Sequence, residues 1–302
     1  MTWKIFNADF KAVTPLHIGY RKIGFLQSTR YYVPGKNLWG ALTAKITPLL
    51  NIRDHTGALN YKEVGDFLSK NLIFSYFFLK SNGKEFKPKY CIIEGLKYGQ
   101  LSVAELEKKF ISSIPSTAIE SESMSADYGS LHEIEIILSR QKKDKEEEND
   151  KQGDVFITGN IFIKEGKEGN LNLLVDGNII KLNNVNVNDI LKEGIQIGGE
   201  RRYGFGLIKA HNLGQSEGKD YDVVLTELVR KIKANTSIEA HLKISDYLVL
   251  RGDIEAVVGR EWDNKGAGRG LSKGFLAWTP GSVVESDINV KILEFGILEF
   301  DH

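Results

Sequence analysis

The 302-residue sequence contains one cysteine, Cys91. An internal disulfide is excluded, and no Cys/His cluster offers the ligand spacing of a structural zinc site. Cys91 lies in the apolar run Tyr90-Cys91-Ile92-Ile93 and reads as a buried, inert thiol. No apolar stretch approaches the roughly 18 residues of a membrane span, and Met1–Phe10 has no signal-peptide core, so a reducing cytoplasm is the expected setting. Paired carboxylates, triad spacing and a His/Asp metal cluster are all missing, which leaves no pattern for a cofactor or metal. Net charge is missing too: 40 Lys+Arg stand against 40 Asp+Glu. A freely diffusing nucleic-acid binder is usually basic, so any such site here must be local or shared with neighbouring subunits.

With 41% hydrophobic residues the chain can bury a real core. Trp3 to Val13 alternates and predicts a strand. Leu38, Leu42, Ile46 and Leu49 recur at helical spacing, with Asn37 as a candidate cap, and Tyr61 to Lys70 predicts a second helix. Leu72 to Leu79 is a continuous apolar, aromatic-rich run and reads as one buried strand. Val103 to Phe110 and Val187 to Glu193 predict short helices. Ile134 to Leu138 and Val155 to Ile163 predict strands, and Leu173 to Leu182 a hairpin around Asp176-Gly177-Asn178. Val223 to Ala234 is amphipathic. Ala240 to Val249, Ile254 to Val258 and Phe275 to Trp278 predict later strands. This order predicts an α+β fold with mostly antiparallel sheet, a ferredoxin-like (RRM-like) core with insertions and room for a second, degenerate lobe. The expected division is a first lobe at 1–139, a charged loop or linker at 140–153, and a second lobe at 154–302.

Acid is scarcest where base is plentiful. From Phe10 to Arg53 there are seven Lys/Arg (Lys11, Arg21, Lys22, Arg30, Lys36, Lys45, Arg53) and no Asp or Glu. Tyr20, Phe25, Tyr31, Tyr32 and Trp39 are interleaved with them. Cations that hold phosphates beside rings that stack on bases are what a single-stranded nucleic acid needs. A second segment, Ile197 to Ile208, places Arg201, Arg202, Tyr203 and Phe205 among Gly198, Gly199, Gly204 and Gly206. Glycines let backbone approach a ligand closely, and forked guanidinium donors match phosphate oxygens. It is neither a Walker loop nor a dinucleotide fingerprint, since the Gly-Lys-Ser/Thr ending and the Gly-x-Gly-x-x-Gly spacing are absent. A third stretch, Ser116 to Glu135 with Met124, is a polar loop entering a strand. A fourth, Val258 to Lys273, gathers Arg260, Lys265 and Arg269 around Trp262 and reads as a long hairpin available for RNA or subunit contact.

Three of these pieces, in this order, resemble the RAMP (repeat-associated mysterious protein) superfamily. Pro15-Leu16-His17-Ile18-Gly19 and Tyr32-Val33-Pro34-Gly35-Lys36-Asn37-Leu38-Trp39-Gly40 are similar to its opening strand, turn and first helix. Gly198 to Gly206 is similar to its glycine-rich loop, and Thr117-Ala118 with Ala126 to Glu135 to its thumb hairpin, which wedges between guide bases. The resemblance implies modified RRM folds assembled on a CRISPR guide RNA (crRNA), with other RAMP-type subunits, a large subunit and an indirectly held target as partners. It adds His17, Gly19, Asn37 and Met124 to the RNA-contacting residues. Backbone subunits of type III complexes often carry a target-cutting acid in the loop after the first Gly. Here Gly19 to Tyr32 has no Asp or Glu, which favours a non-catalytic subunit capping the guide's 5′ handle over a backbone subunit. Guide-processing endoribonucleases of the superfamily use His, Tyr and Lys, and His17, Tyr31 and Lys36 are the residues that could serve so here. A protein with no RNA role would leave both cation-and-ring segments unexplained.

Overall fold

The computed structural model describes residues 3–143, 152–218, 220–224, 227–248, 250–263 and 266–301. Its main sheet is built round the strand Trp3–Ala12, which pairs antiparallel with Phe156–Lys164 on one side and Leu207–Ser216 on the other. Phe156–Lys164 pairs onward with Leu72–Phe74 and Phe77–Ser81, again antiparallel. Helices α1 (Gly35–Leu50) and α2 (Tyr61–Asn71) lie between the first and second of these strands in the chain; α3 (Val103–Phe110) and α4 (Val187–Glu193) follow. Mixed α+β structure with mostly antiparallel strands is as the sequence predicts.

Period-two alternation along Trp3–Ala12 sends Phe6, Ala8, Phe10 and Ala12 into a core shared with Leu38, Leu42 and Ile46 of α1 and Val64 and Leu68 of α2. Ile5 points the other way. With Tyr32, Ile73, Tyr76, Phe78 and Phe162 it forms a second core against Leu228, Leu242, Val290 and Leu298 of the C-terminal sheet. That sheet is ordered Tyr221–Val224, Glu227–Ile232, Ile288–Ile292, Leu298–Phe300, Leu242–Lys243, Phe275–Trp278, Ile254–Val257. The main sheet is therefore covered by helices on one face and, around Ile5, Phe78 and Phe162, by the C-terminal sheet on the other, where Asn7 stays exposed.

This arrangement corrects the expected division at 139 and 154. The strand that opens the chain hydrogen-bonds to two strands beyond that boundary, so the first sheet runs to Ser216 and the second begins near Tyr221. Arg140 to Lys143 and Gln152 onward close a loop through the Arg140–Asp154 bridge, while 144–151 of the expected linker lie outside the described residues. Leu72 to Leu79 is two strands, not one. The chain bends at Ser75, whose N–H donates to the Asn160 carbonyl (2.9 Å) and whose hydroxyl accepts from the Asn160 N–H (2.8 Å). Asn37 does not cap α1. The cap is Pro34, and the helix starts at Gly35 because its backbone lies on that of Phe74 and Phe295, where a Cβ would sit 2.1 Å and 2.5 Å from their carbonyl oxygens. The amphipathic stretch 223–234 lies largely in the hairpin Tyr221–Val224/Glu227–Ile232, and among the described residues of 240–249 only Leu242–Lys243 form a strand of the C-terminal sheet. Cys91 is not buried: it ends a hairpin strand at a turn where Ile92 and Ile93 are exposed, and is itself half-buried.

Candidate nucleic-acid interface

The glycine-rich loop is a rigid projection. Ile197 N–H donates to the Gly206 carbonyl (2.9 Å), closing the loop at its base. Gly199 N–H donates to the His17 carbonyl (2.9 Å) and Gly206 N–H to that of Pro15 (2.8 Å), clamping it to the segment after the first strand. Gly198 (φ +75°) and Gly206 (φ +87°) leave no room for a side chain: a Cβ would fall 2.2 Å from the His17 oxygen and 2.0 Å from the Ile197 oxygen. Arg201–Tyr203 form one 3-10 turn at the tip. Arg201, Arg202 and Tyr203 are exposed there, and among the described residues neither arginine has a carboxylate partner. Phe205, two residues on, is half-buried, so Tyr203 is the ring that faces outward.

The basic window behaves differently. Acids arrive from distant segments to meet its cations. Lys11 pairs with Asp154 (2.6 Å), Arg30 with Glu255 (2.7 Å) and Lys36 with Glu261 (3.0 Å). Arg30 is a half-buried strut, not a free phosphate ligand. Its guanidinium also donates to the Tyr32 hydroxyl (2.7 Å). Glu255 in turn accepts from His241 Nε2, and the Tyr76 hydroxyl donates to His241 Nδ1 (2.5 Å). A carboxylate only accepts, so Nε2 carries a proton, and burial disfavours a second one on Nδ1, which leaves Nδ1 to accept from Tyr76. Burial lowers the His241 pKa accordingly. Burial alone would raise Glu255, but its bonds from His241 and Arg30 hold it down at about 2. Sequence reasoning missed this network, whose members lie up to 225 residues apart; the only signal was the lack of any local acid for Arg30.

Trp39 is likewise structural: its indole N–H donates to the Gly65 carbonyl (2.9 Å) and its ring meets Phe295 edge-on at 4.8 Å. Asn37 is half-buried in the first turn of α1. Arg21 and Lys22 remain exposed on the strand Gly19–Ile23. That strand and the glycine-rich loop leave the same corner, because the buried His17 ring lies between Gly19 and Gly199. Lys36 does not join them; it lines a separate cavity with Trp39 and Glu261.

His17, Tyr31 and Lys36 are not gathered into a catalytic group. His17 Nδ1–H donates to the Glu135 carbonyl (2.7 Å). The Tyr31 hydroxyl donates to Glu107 (2.7 Å), and burial with that bond pushes it well above its ordinary range. Tyr31 and Lys36 line different cavities, and His17 lines neither. The stretch with Met124 is the tip of the hairpin Ile111–Ser116/His132–Ile137, bridged at Ile119–Ala126, with Met124 and Tyr128 exposed. Arg260 and Arg269 lie on the hairpin Arg260–Asp263/Gly266–Leu271; Lys265 and the side chain of Trp262 lie outside the described residues. No helix among the described residues is long and apolar enough to cross a membrane.

A first strand, a turn and a first helix, followed later by a glycine-rich loop, is the layout that the motifs suggested, and the chain belongs to the RAMP superfamily, whose family model matches residues 9–209. In fold it is similar to a chain in the cryo-EM structure of the type III-B Cmr-beta bound to cognate target RNA and AMPPnP, at 12% identity and a TM-score of 0.53, covering 92% of this chain and 85% of that one. A second structure, of the type III-B Cmr-beta bound to cognate target RNA, matches at 13% identity and a TM-score of 0.50, covering 92% and 86%. No curated protein matches the sequence.

Proposed function

We propose that the chain is a non-catalytic subunit of a cytoplasmic CRISPR effector complex that holds the guide RNA, capping its 5′ handle, among other RAMP-type subunits. The observation that carries this is the glycine-rich loop: two arginines without a carboxylate partner among the described residues and an exposed tyrosine, on a tip whose base is fixed by backbone bonds to Pro15 and His17. Such a tip can grip phosphate and stack a base with little ordering cost. Arg21 and Lys22, on a strand leaving the same corner, extend the cationic surface.

Superfamily membership and a fold similar to chains of type III-B complexes support the assembly, and the absence of an acid between Gly19 and Tyr32 supports the capping role. Sheet order supports a ferredoxin-like core: the fourth strand, first, third and second lie side by side, with helices in both crossovers. One feature departs from an ordinary RRM. There the open sheet face stacks RNA bases, whereas here Tyr32, Tyr76, Phe78 and Phe162 on that face are buried by the C-terminal sheet. With these rings covered, the reading assigns RNA contact to loops and edges.

The test is binding of guide RNA over a range of salt. Arg201→Glu with Arg202→Glu should lower affinity at least tenfold and flatten the slope of log K against log salt by about one unit per lost phosphate contact, with the melting temperature unchanged. An unaltered slope in this variant would rule out the loop as the grip.

A further inference from the structure

A cleft of about 540 Å³ opens between the strand pair Gly19–Ile23/Leu26–Thr29, the hairpin Pro88–Cys91/Gly95–Tyr98 and the C-terminal strand Ile254–Val257. Its volume suits one nucleotide-sized ligand. The walls are rings: Tyr20, Tyr31, Tyr90 and Tyr98 all line it. The Arg21 guanidinium lies 4.6 Å from the Tyr20 ring centre and that of Arg30 4.5 Å, so Tyr20 is braced and its stacking surface is extended by an arginine plane.

Arg21 at the rim is a lining cation without a carboxylate partner among the described residues, and the polar groups deeper in the cleft are engaged or acidic. Arg30 is taken by Glu255, and two further carboxylates, Glu135 and Asp253, line the space. Glu135 is engaged: one oxygen accepts the Thr29 N–H (2.8 Å) and the other is 3.4 Å from the Tyr31 hydroxyl. Asp253 is oriented by the Tyr90 hydroxyl, which donates to Oδ2 (2.6 Å), and its Oδ1 accepts no bond among the described residues. What remains open behind Arg21 is a ring-walled slot with one positioned carboxylate edge, Asp253.

We propose that this cleft is a slot for a single nucleobase with adjacent N–H donors, guanine above the other three. A carboxylate can accept the parallel N1–H and N2–H of guanine. Adenine and cytosine set an acceptor nitrogen beside their amino group, and uracil flanks its one N–H with carbonyl oxygens, each of which repels a carboxylate. The proposal rests on the RNA-handling role above and adds a base-reading site separate from the glycine-rich loop. The base is either a residue splayed from an RNA strand or a free nucleotide; the chemistry is the same.

Titration of the whole chain with each of the four nucleoside 5′-monophosphates by calorimetry tests it. Guanosine monophosphate should bind at least tenfold more tightly than the others, and Asp253→Asn should erase that preference. Tyr20→Ala should weaken all four alike, since stacking is sequence-tolerant. Asp253 is exposed, so its variant should keep the wild-type melting temperature. Equal affinities for the four nucleotides, or a guanine preference that survives Asp253→Asn, would overturn the slot. A second arm compares an all-uridine octamer with one carrying a single guanosine. An Asp253-dependent gain there identifies a strand as the source, and a preference seen only with monophosphates identifies a free nucleotide. A chain that loses guide RNA on Arg201/Arg202 reversal yet shows no guanine preference keeps the guide-holding role and loses the slot.

Discussion

The window from Phe10 to Arg53 holds seven cations and no acid, while the loop from Ile197 to Gly206 holds two arginines directly after Glu200. By local charge the first carries the stronger field. Folding narrows the gap, because Asp154, Glu255 and Glu261 reach across the chain to neutralise Lys11, Arg30 and Lys36, whereas no carboxylate reaches Arg201 or Arg202 among the described residues. A positive field is a property of the folded neighbourhood. A one-signed stretch of sequence signals equally a surface waiting for a polyanion and a surface waiting for its own distant carboxylates.

The sharpest way to break the comparison is to cut one cation from each region. Arg30→Ala leaves Glu255 buried without its guanidinium and should cost about 3–5 kcal/mol of unfolding free energy, whereas Arg202→Ala should change stability by no more than about 0.5 kcal/mol. Denaturant unfolding measures both. The same network sets a pH dependence. Glu255, held near 2, stabilises the fold above its ordinary value of 4.5 and loses that contribution as pH falls toward 2. His241, lowered by burial, is neutral in the fold, so acidification below its ordinary value of 6.5 also favours the unfolded chain. Both signs agree: stability should decline from about pH 6.5 downward. In Glu255→Gln the limb between about 4.5 and 2 should shrink, which thermal melts across pH would show.

How much of this the sequence revealed depends on the range of each interaction. Elements set by local periodicity, such as Trp3–Ala12, α2 and the turn at Gly177, are legible because their causes lie within a few residues. The glycine-rich loop is legible for the same reason: its glycines mark backbone that only glycine can adopt. The kink at Ser75, the start of α1 at Gly35 and the Arg30–Glu255 strut are not, because each is fixed by Asn160, Phe295 or Glu255 from far along the chain. The expected lobe boundary at 139–154 failed on the same ground, since a charged loop reports exposure and says nothing about which strands pair across it. His17 shows both sides. Its place beside Gly19 was readable, but its role in seating Gly199 was not.

Of intermediate size is the effect of filling the glycines that seat the loop. Gly198→Ala combines a positive φ with a 2.2 Å collision against the His17 oxygen, so the loop must shift. Gly204→Ala shares the positive φ but meets open space. The second should cost about 1 kcal/mol from backbone strain alone, and the first more than that, with a loss of guide affinity that Gly204→Ala does not show. Binding and unfolding curves for the two variants separate loop placement from loop stiffness.

The smallest effect falls on Lys36, and it discriminates most finely between the regions. Its ammonium is 3.0 Å from Glu261 and 5.2 Å from the Phe295 ring centre, so it belongs to the contact between α1 and the C-terminal part of the chain. Lys36→Ala should cost at most about 1 kcal/mol, as partly exposed ion pairs do, and should leave the salt slope of RNA binding where it was. Were Lys36 instead a phosphate ligand, the slope would fall by about one unit with stability unchanged. Only a measured slope tells these apart, because a modest drop in affinity at one salt concentration follows from either arrangement.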